Sequence, residues 1–219
     1  MTDVPHPDAE ALLESVWKKL SAEKGGKDLN FPKFILWLNG APGSGKGTHT
    51  RFIMSHLGMK NQPVVMSDLL QSPQARELKD RGQLVGDAEV VEMLLRRLSD
   101  EELAEGVIVD GFPRTRIQGD VVRHLSKRLG DDSKFHVVLF EVPEEESVFR
   151  QLQRGRETLA HNEKAQLSGQ GNLKELRKTD IDPEAAALRY RTYEEHTAKP
   201  LRAIGDTFPC HVISTLGSI

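Results

Sequence analysis

Gly40-Ala41-Pro42-Gly43-Ser44-Gly45-Lys46-Gly47-Thr48 follows directly on a short apolar run, Phe34-Ile35-Leu36-Trp37-Leu38-Asn39. That run is bounded by Pro32 and Gly40 and reads as a fully buried strand. After Thr48, the residues Phe52, Ile53, His56 and Leu57 recur at helical spacing. Strand, glycine-rich loop and helix form the context that a phosphate-binding loop requires. Its glycines let successive backbone N–H groups turn inward around phosphate oxygens. The helix N-terminus adds its dipole, and Lys46 supplies a mobile positive charge. The pattern G-x-x-x-x-G-K fits from Gly40 to Lys46, with Gly47 inserted before the expected hydroxyl residue, Thr48.

At 219 residues the chain suits a single domain with insertions. A net charge of −3 gives no global attraction to nucleic acid or to an anionic membrane. One cysteine, Cys210, excludes an internal disulfide and a cysteine-rich zinc site. No apolar run reaches the length of a membrane span, and the acidic, proline-interrupted start does not read as a secretory signal. A cytoplasmic protein is the expectation.

Outward from the loop, strands and helices alternate. An N-terminal helix from Asp8 through Ala22 carries Leu12, Leu13, Val16, Trp17 and Leu20 on one face. Further strands are predicted at Pro63–Met66, Val107–Asp110, His136–Val142 and His211–Ser214. Short helices are predicted from Ser67 and from Pro73 to Arg81, and a loop from Gly82 ends on a capping Asp87. A helix with Val90, Val91, Leu94, Leu95 and Leu98 comes next, and another runs from Thr115 to about Leu129. Pro143 is placed at the first position of a helix that ends near Gly155. The polar stretch from Arg156 to Asp182 reads as an inserted excursion, and Pro183 opens a long helix to about Ala203. The expected fold is a three-layer α/β/α domain with a five-stranded parallel sheet. Ligands in such folds sit at the carboxyl ends of the strands, where the loop, Asp68, Asp110 and Arg114 all fall.

Asp110 ends its strand where a phosphate-loop protein keeps a carboxylate for magnesium, an ion that needs few protein ligands. Arg114, Arg150, Arg154, Arg177 and Arg189 lie at predicted helix ends or beside the polar insertion. Transfer of a phosphoryl group asks for positioning and for cations around developing oxygen charge, and the planar arginine fork suits that task.

On these residues the chain resembles the adenylate kinases of the nucleoside-monophosphate kinase family. The loop GAPGSGKGT, with glycine between Lys46 and Thr48, and Asp110-Gly111-Phe112-Pro113-Arg114-Thr115 match its two signatures. Gly82-Gln83-Leu84-Val85, Val142-Pro143 with Arg150 and Arg154, and the Arg177–Tyr193 segment resemble the family's remaining site segments. The similarity runs from about Phe34 to about Ser214. It implies a monomeric enzyme that transfers a phosphoryl group reversibly from magnesium ATP to a nucleoside monophosphate. Gly43, Ser44, Gly45, Lys46, Gly47, Thr48 and Arg150 would then hold ATP. Asp68, Gln71, Gln83, Val85, Gly111, Arg114 and Gln118 would hold the acceptor, with Gln118 favouring AMP over pyrimidine nucleotides. Lys46, Arg114, Arg154, Arg177 and Arg189 would be catalytic. Thr48, Asp68 and Asp110 would serve Mg2+, largely through water. Residues 8–24 would be an N-terminal extension, 67–86 the monophosphate-binding segment and 155–182 a lid.

The chain also departs from the family pattern. Gln71 stands where an arginine would grip the acceptor phosphate, and the segment between Asp68 and Gly82 is short. Between Arg156 and Asp182 the cysteines of zinc-bearing lids are missing, so no zinc is expected; His161 alone is not a metal site. The chain stops soon after its last strand, where the family continues into a helix, and it has the extra N-terminal helix instead. A kinase for UMP or CMP, or a nucleotide-binding protein without catalysis, are the alternative readings.

Overall fold

A computed structural model describes residues 7–75, 85–130, 135–204 and 210–217. The expected sheet is present: β1 (Ile35–Gly40), β2 (Val64–Val65), β3 (Val107–Asp110), β4 (Phe135–Glu141) and β5 (Cys210–Ser214) pair in parallel in the order β2-β3-β1-β4-β5. Because strand side chains alternate, the sheet divides its apolar residues between two layers. Ile35, Trp37, Val107, Val109, Val137 and Leu139 enter the main core. Leu36, Leu38, Ile108, Val138 and Phe140 form a smaller core on the other face.

The helices are α1 (Pro7–Glu23), α2 (Lys46–Leu57), α3 (Met66–Leu69), α4 (Asp87–Leu98), α5 (Arg116–Leu129), α6 (Glu144–Ser168), α7 (Pro183–Tyr193) and α8 (Lys199–Ile204). The apolar stripe of α4 buries Val90, Val91, Leu94, Leu95 and Leu98 in the main core, as its spacing predicts. Thr115 caps α5 by accepting from the Gln118 N–H at 3.2 Å. Helix α1 packs against α4 and α5 and buries Leu13, Val16 and Leu20. Trp17 stacks on Phe31 at 5.2 Å between ring centroids, and the Arg128 guanidinium lies 4.1 Å from the Trp17 ring.

Several boundaries differ from the sequence expectation. Helix α6 does not end near Gly155 but continues to Ser168, where Gly169 closes it in the left-handed conformation. The residues after Gly155 are good helix formers with no proline or further glycine before Gly169, and Gly155 itself is retained by a tertiary contact. About half of the expected polar excursion is therefore helix. Pro143 is the N-cap of α6, not its first residue. Gly86, not Asp87, caps α4, because the Asp87 carboxylate accepts from Thr115 Oγ1 and Gln118 Nε2. The helix opened by Pro183 is interrupted by a π-turn, Glu194–Ala198, before α8 continues. Pro73 to Ala75 are helical, and the remainder of the helix expected there lies outside the described residues, as does Gln83.

Candidate active site

All five strands run the same way, so their carboxyl ends meet along one edge. Here β1 delivers the phosphate loop, β3 delivers Asp110, and β2 leads into α3 with Asp68. Asn39 ties two of these together. Its side-chain oxygen accepts from the Gly40 N–H at 2.8 Å, and its Nδ2 donates to the Pro113 carbonyl at 2.6 Å. The glycine loop and the Asp110–Thr115 turn are thus held as one piece.

Within the loop, Gly43 has φ +72°, and a Cβ there would sit 2.8 Å from the Ser147 carbonyl of α6. Both the left-handed backbone and the close helix call for glycine. Gly45 caps α2, with Lys46, Gly47 and Thr48 in its first turn. The Ser44 hydroxyl is buried and has no hydrogen-bond partner among the described residues. The Lys46 Nζ turns back on its own loop, donating to the carbonyls of Gly40 at 2.8 Å and Ala41 at 3.2 Å.

Around Lys46 the charges converge. Burial pushes its pKa down to about 8; Asp110 opposes that shift, while Arg114, Arg189 and Arg154 add to it. Burial also raises the Asp110 carboxyl, with Lys46 and Arg114 pulling it down and Asp68 pushing it up. Arg189 is lowered to about 10, by burial first and then by Arg177, Arg154 and Arg114. Arg114 is lowered by burial, against the pull of Asp110. Four arginines and a lysine outnumber the carboxylates among them, Asp68, Asp110 and Asp180, and this excess of positive charge takes up a polyanion.

The arginines are held individually. Arg114 donates from Nε to the Gly111 carbonyl at 2.7 Å. Its N–H goes to Gln118 Oε1 at 2.7 Å, and its carbonyl accepts from Thr197 Oγ1 at 3.0 Å. Arg154 pairs through Nη2 with the buried Asp180. Arg189 Nη1 reaches Thr179 Oγ1 at 3.1 Å and Gln151 Oε1 at 3.4 Å. Arg177 lies 3.6 Å from Glu175. A cavity between α6 and the return segment is lined by Arg154, Glu157, Lys174, Arg177 and Asp180. Arg150 stands apart from this group, bonded to Glu146 at 2.6 Å and to the Thr215 carbonyl at 2.7 Å.

The residues singled out for the acceptor are more dispersed. Val85 is buried in the main core. Gln71 is exposed, and its Nε2 donates to the Ser67 carbonyl at 2.7 Å. Gln118 is 2% exposed and bonds Arg114 and Asp87, which leaves its amide one N–H and one lone pair. Sequence reasoning passed over Asn39, Ser147, Gln151 and Thr197 and read Asp87 only as a helix cap; all five are polar residues that fasten site elements. Ser147 and Gln151 carried a usable signal, since they share one helix face with Gly155 at a spacing of four.

A family model described as an AAA domain matches residues 39–166. An adenylate kinase of Salinispora tropica is 33% identical over 180 residues, covering 74% of this chain and 82% of that protein. The chain belongs to the adenylate kinase family. A second family member, from Parabacteroides distasonis, is 36% identical over 126 residues, or 53% of this chain. That match spans 65% of the relative's own length. The fold is shared more widely: a gluconokinase structure from Sinorhizobium meliloti 1021 aligns over 86% of each chain with a TM-score of 0.50 at 16% identity.

Membership in the adenylate kinase family raises the question of a metal. Among the described residues no three His, Cys, Asp or Glu side chains form a metal-binding group. Asp110 and Asp68 nevertheless lie close enough for one carboxylate to raise the other. Hard oxygen donors, few in number, fit a magnesium ion that keeps most of its water. Among the described residues no helix is long and apolar enough to cross a membrane.

Proposed function

We propose that this protein transfers a phosphoryl group reversibly between magnesium ATP and a nucleoside monophosphate, with AMP as the acceptor. The observation that carries this reading is the convergence on Lys46 of Asp110, Arg114, Arg154 and Arg189, drawn from three separate parts of the chain. The shared signatures and the two adenylate kinase relatives support it.

In this reading the loop amides and Lys46 hold the donor phosphates, with Arg150 beside the donor base. Arg114 holds the acceptor phosphate. Arg154, Arg177 and Arg189 surround the group in transit, where charge spreads over the equatorial oxygens. Thr48, Asp110 and Asp68 would hold Mg2+ through its water shell, and the ion would neutralise charge on the donor phosphates. No general base is needed, because positioning and charge do most of the work. Residues 155–182 act as a lid that closes over ATP and excludes water.

AMP is favoured by Gln118, which stands where the family resemblance places a glutamine that reads the adenine of AMP, and which is held there by Arg114 and Asp87. Gln71 favours the second reading, a different acceptor or a protein without catalysis, because the acceptor phosphate then lacks one cation. A coupled assay with magnesium ATP and AMP, CMP, UMP or GMP separates these. Turnover with AMP well above the others is expected. Preference for UMP or CMP would replace the acceptor, and no turnover with any of them would overturn the enzymatic reading.

A further inference from the structure

The buried face of α6 contains two polar side chains that the reaction outlined above does not use, Ser147 and Gln151, each 0% exposed. Ser147 Oγ donates to the carbonyl of Pro42, inside the phosphate loop, at 2.6 Å. Gln151 Nε2 donates to Ser147 Oγ at 3.3 Å and to the Ala186 carbonyl of α7 at 3.5 Å. Gln151 Oε1 accepts from Arg189 Nη1 at 3.4 Å. Donors and acceptors run in one direction along this chain. Arginine can only donate, so the amide oxygen of Gln151 must face Arg189. The amide NH2 must then face Ser147, whose single proton goes to Pro42.

A buried polar pair needs its hydrogen bonds, and it specifies geometry only when all of them are made together. Here the termini are the phosphate loop and a guanidinium of the site. Arg189 stands 38 residues from Gln151 in sequence and on another helix. Arg189 also donates to Thr179, on the segment returning from the expected lid. Among the described residues, the contact through Gln151 is the one that refers Arg189 to the loop.

We infer that Gln151 is a positioning residue, which with Ser147 sets the Arg189 guanidinium in register with the phosphate loop. The inference rests on the kinase reading for its effect on rate, but its geometry can be tested without turnover.

The test uses the full chain with Gln151→Met, Ser147→Ala, the double variant and Arg189→Ala. Methionine fills the space of glutamine but has only a weakly accepting sulfur for Arg189 and no N–H for Ser147. With Gln151→Met, kcat should fall about tenfold or more while KM for ATP changes less than about threefold, as for an interaction made in the transition state. Ser147→Ala should lower kcat in the same direction but less, and the double variant should be no worse than Gln151→Met, because the two act in series. In parallel, NMR of the arginine side chains should show slow rotation of the Arg189 guanidinium in the parent protein. Rotation should be faster in Gln151→Met and in Ser147→Ala.

If Arg189→Ala is inactive while Gln151→Met keeps the parent kcat, the inference is wrong and the kinase reading stands. If the parent protein transfers phosphate to no monophosphate, the kinase reading fails, and the NMR comparison alone decides the positioning role. A Gln151→Met protein that does not fold leaves Ser147→Ala to decide. Unchanged Arg189 rotation in that variant overturns the relay.

Discussion

Gly155 in the middle of α6 lies directly against the carbonyl of Asp180, so that a side-chain methyl at Gly155 would overlap that oxygen. The contact holds the return segment to the helix at the point where Arg154 meets Asp180. Glycine in a helix interior costs roughly 1 kcal/mol relative to alanine, so its presence here reflects the close approach and not the helix.

Gly155→Ala should therefore destabilise despite the better helix propensity. Overpacking against backbone costs about 1–3 kcal/mol, and the neighbour is a carbonyl that cannot rotate away. Chemical denaturation should show a lower midpoint with an unchanged m-value. A midpoint equal to the parent's would mean that the return segment moves aside freely.

Lys46 gives a pH signature. Its pKa of about 8 in the free protein leaves it mostly neutral at pH 9. A bound polyphosphate favours the ammonium form and raises that pKa again. Binding of an ATP analogue at pH 9 should take up close to one proton, and binding at pH 6.5 should take up little through this group. Calorimetry in buffers of differing ionisation enthalpy reads the difference. Lys46→Met should abolish both the uptake at pH 9 and phosphoryl transfer while leaving the fold intact; a folded variant with near-parent turnover would remove Lys46 from the site.

Residues 155–182 should gain hydrogen-exchange protection when a bisubstrate analogue is bound, as a closing lid does. The first half of this segment is helical without ligand, so the largest change is expected after Ser168. Equal protection in both states would argue for a fixed element.

Helix α1 is part of the main core. Leu13, Val16 and Leu20 are each buried, worth roughly 1.5–3 kcal/mol apiece. Leu13→Ala should cost about 2–5 kcal/mol, and removal of residues 1–24 should lower the melting temperature steeply. An unchanged melting temperature on truncation would mean that the helix contributes nothing to the core.

Gln71→Arg tests the acceptor site. Hydrogen bonds involving charge contribute about 1.5–3 kcal/mol against about 0.5–1.5 for neutral ones. A gain of about 1–2 kcal/mol corresponds to roughly a tenfold lower KM for AMP, with less effect on kcat. Gln71 is exposed, and the exchange gives up its contact with the Ser67 carbonyl. Arg76 and Arg81, the next arginines in the sequence, are the candidates to replace the missing cation; if KM is unchanged in Gln71→Arg while Arg76→Ala or Arg81→Ala raises it, the grip has moved along the chain.

Local signals carried much of this protein. The strand, glycine loop and helix at Phe34–Leu57 were legible because each is specified by residues next to one another. So were the stripe of α4 and the alternation of five strands with helices, which argues for a parallel sheet. The end of α6 was misread because Gly155 breaks a helix by its own propensity, and only contact with Asp180, distant in sequence, explains its place. The links from Asn39 to Pro113 and from Gln151 to Arg189 were invisible for the same reason. The partners stand 74 and 38 residues apart, and no periodicity records such pairs. Sequence alone determined which chemical groups the site has at its disposal. Tertiary structure decided how they are held, because a hydrogen bond between distant residues depends on the packing of whole helices against the sheet.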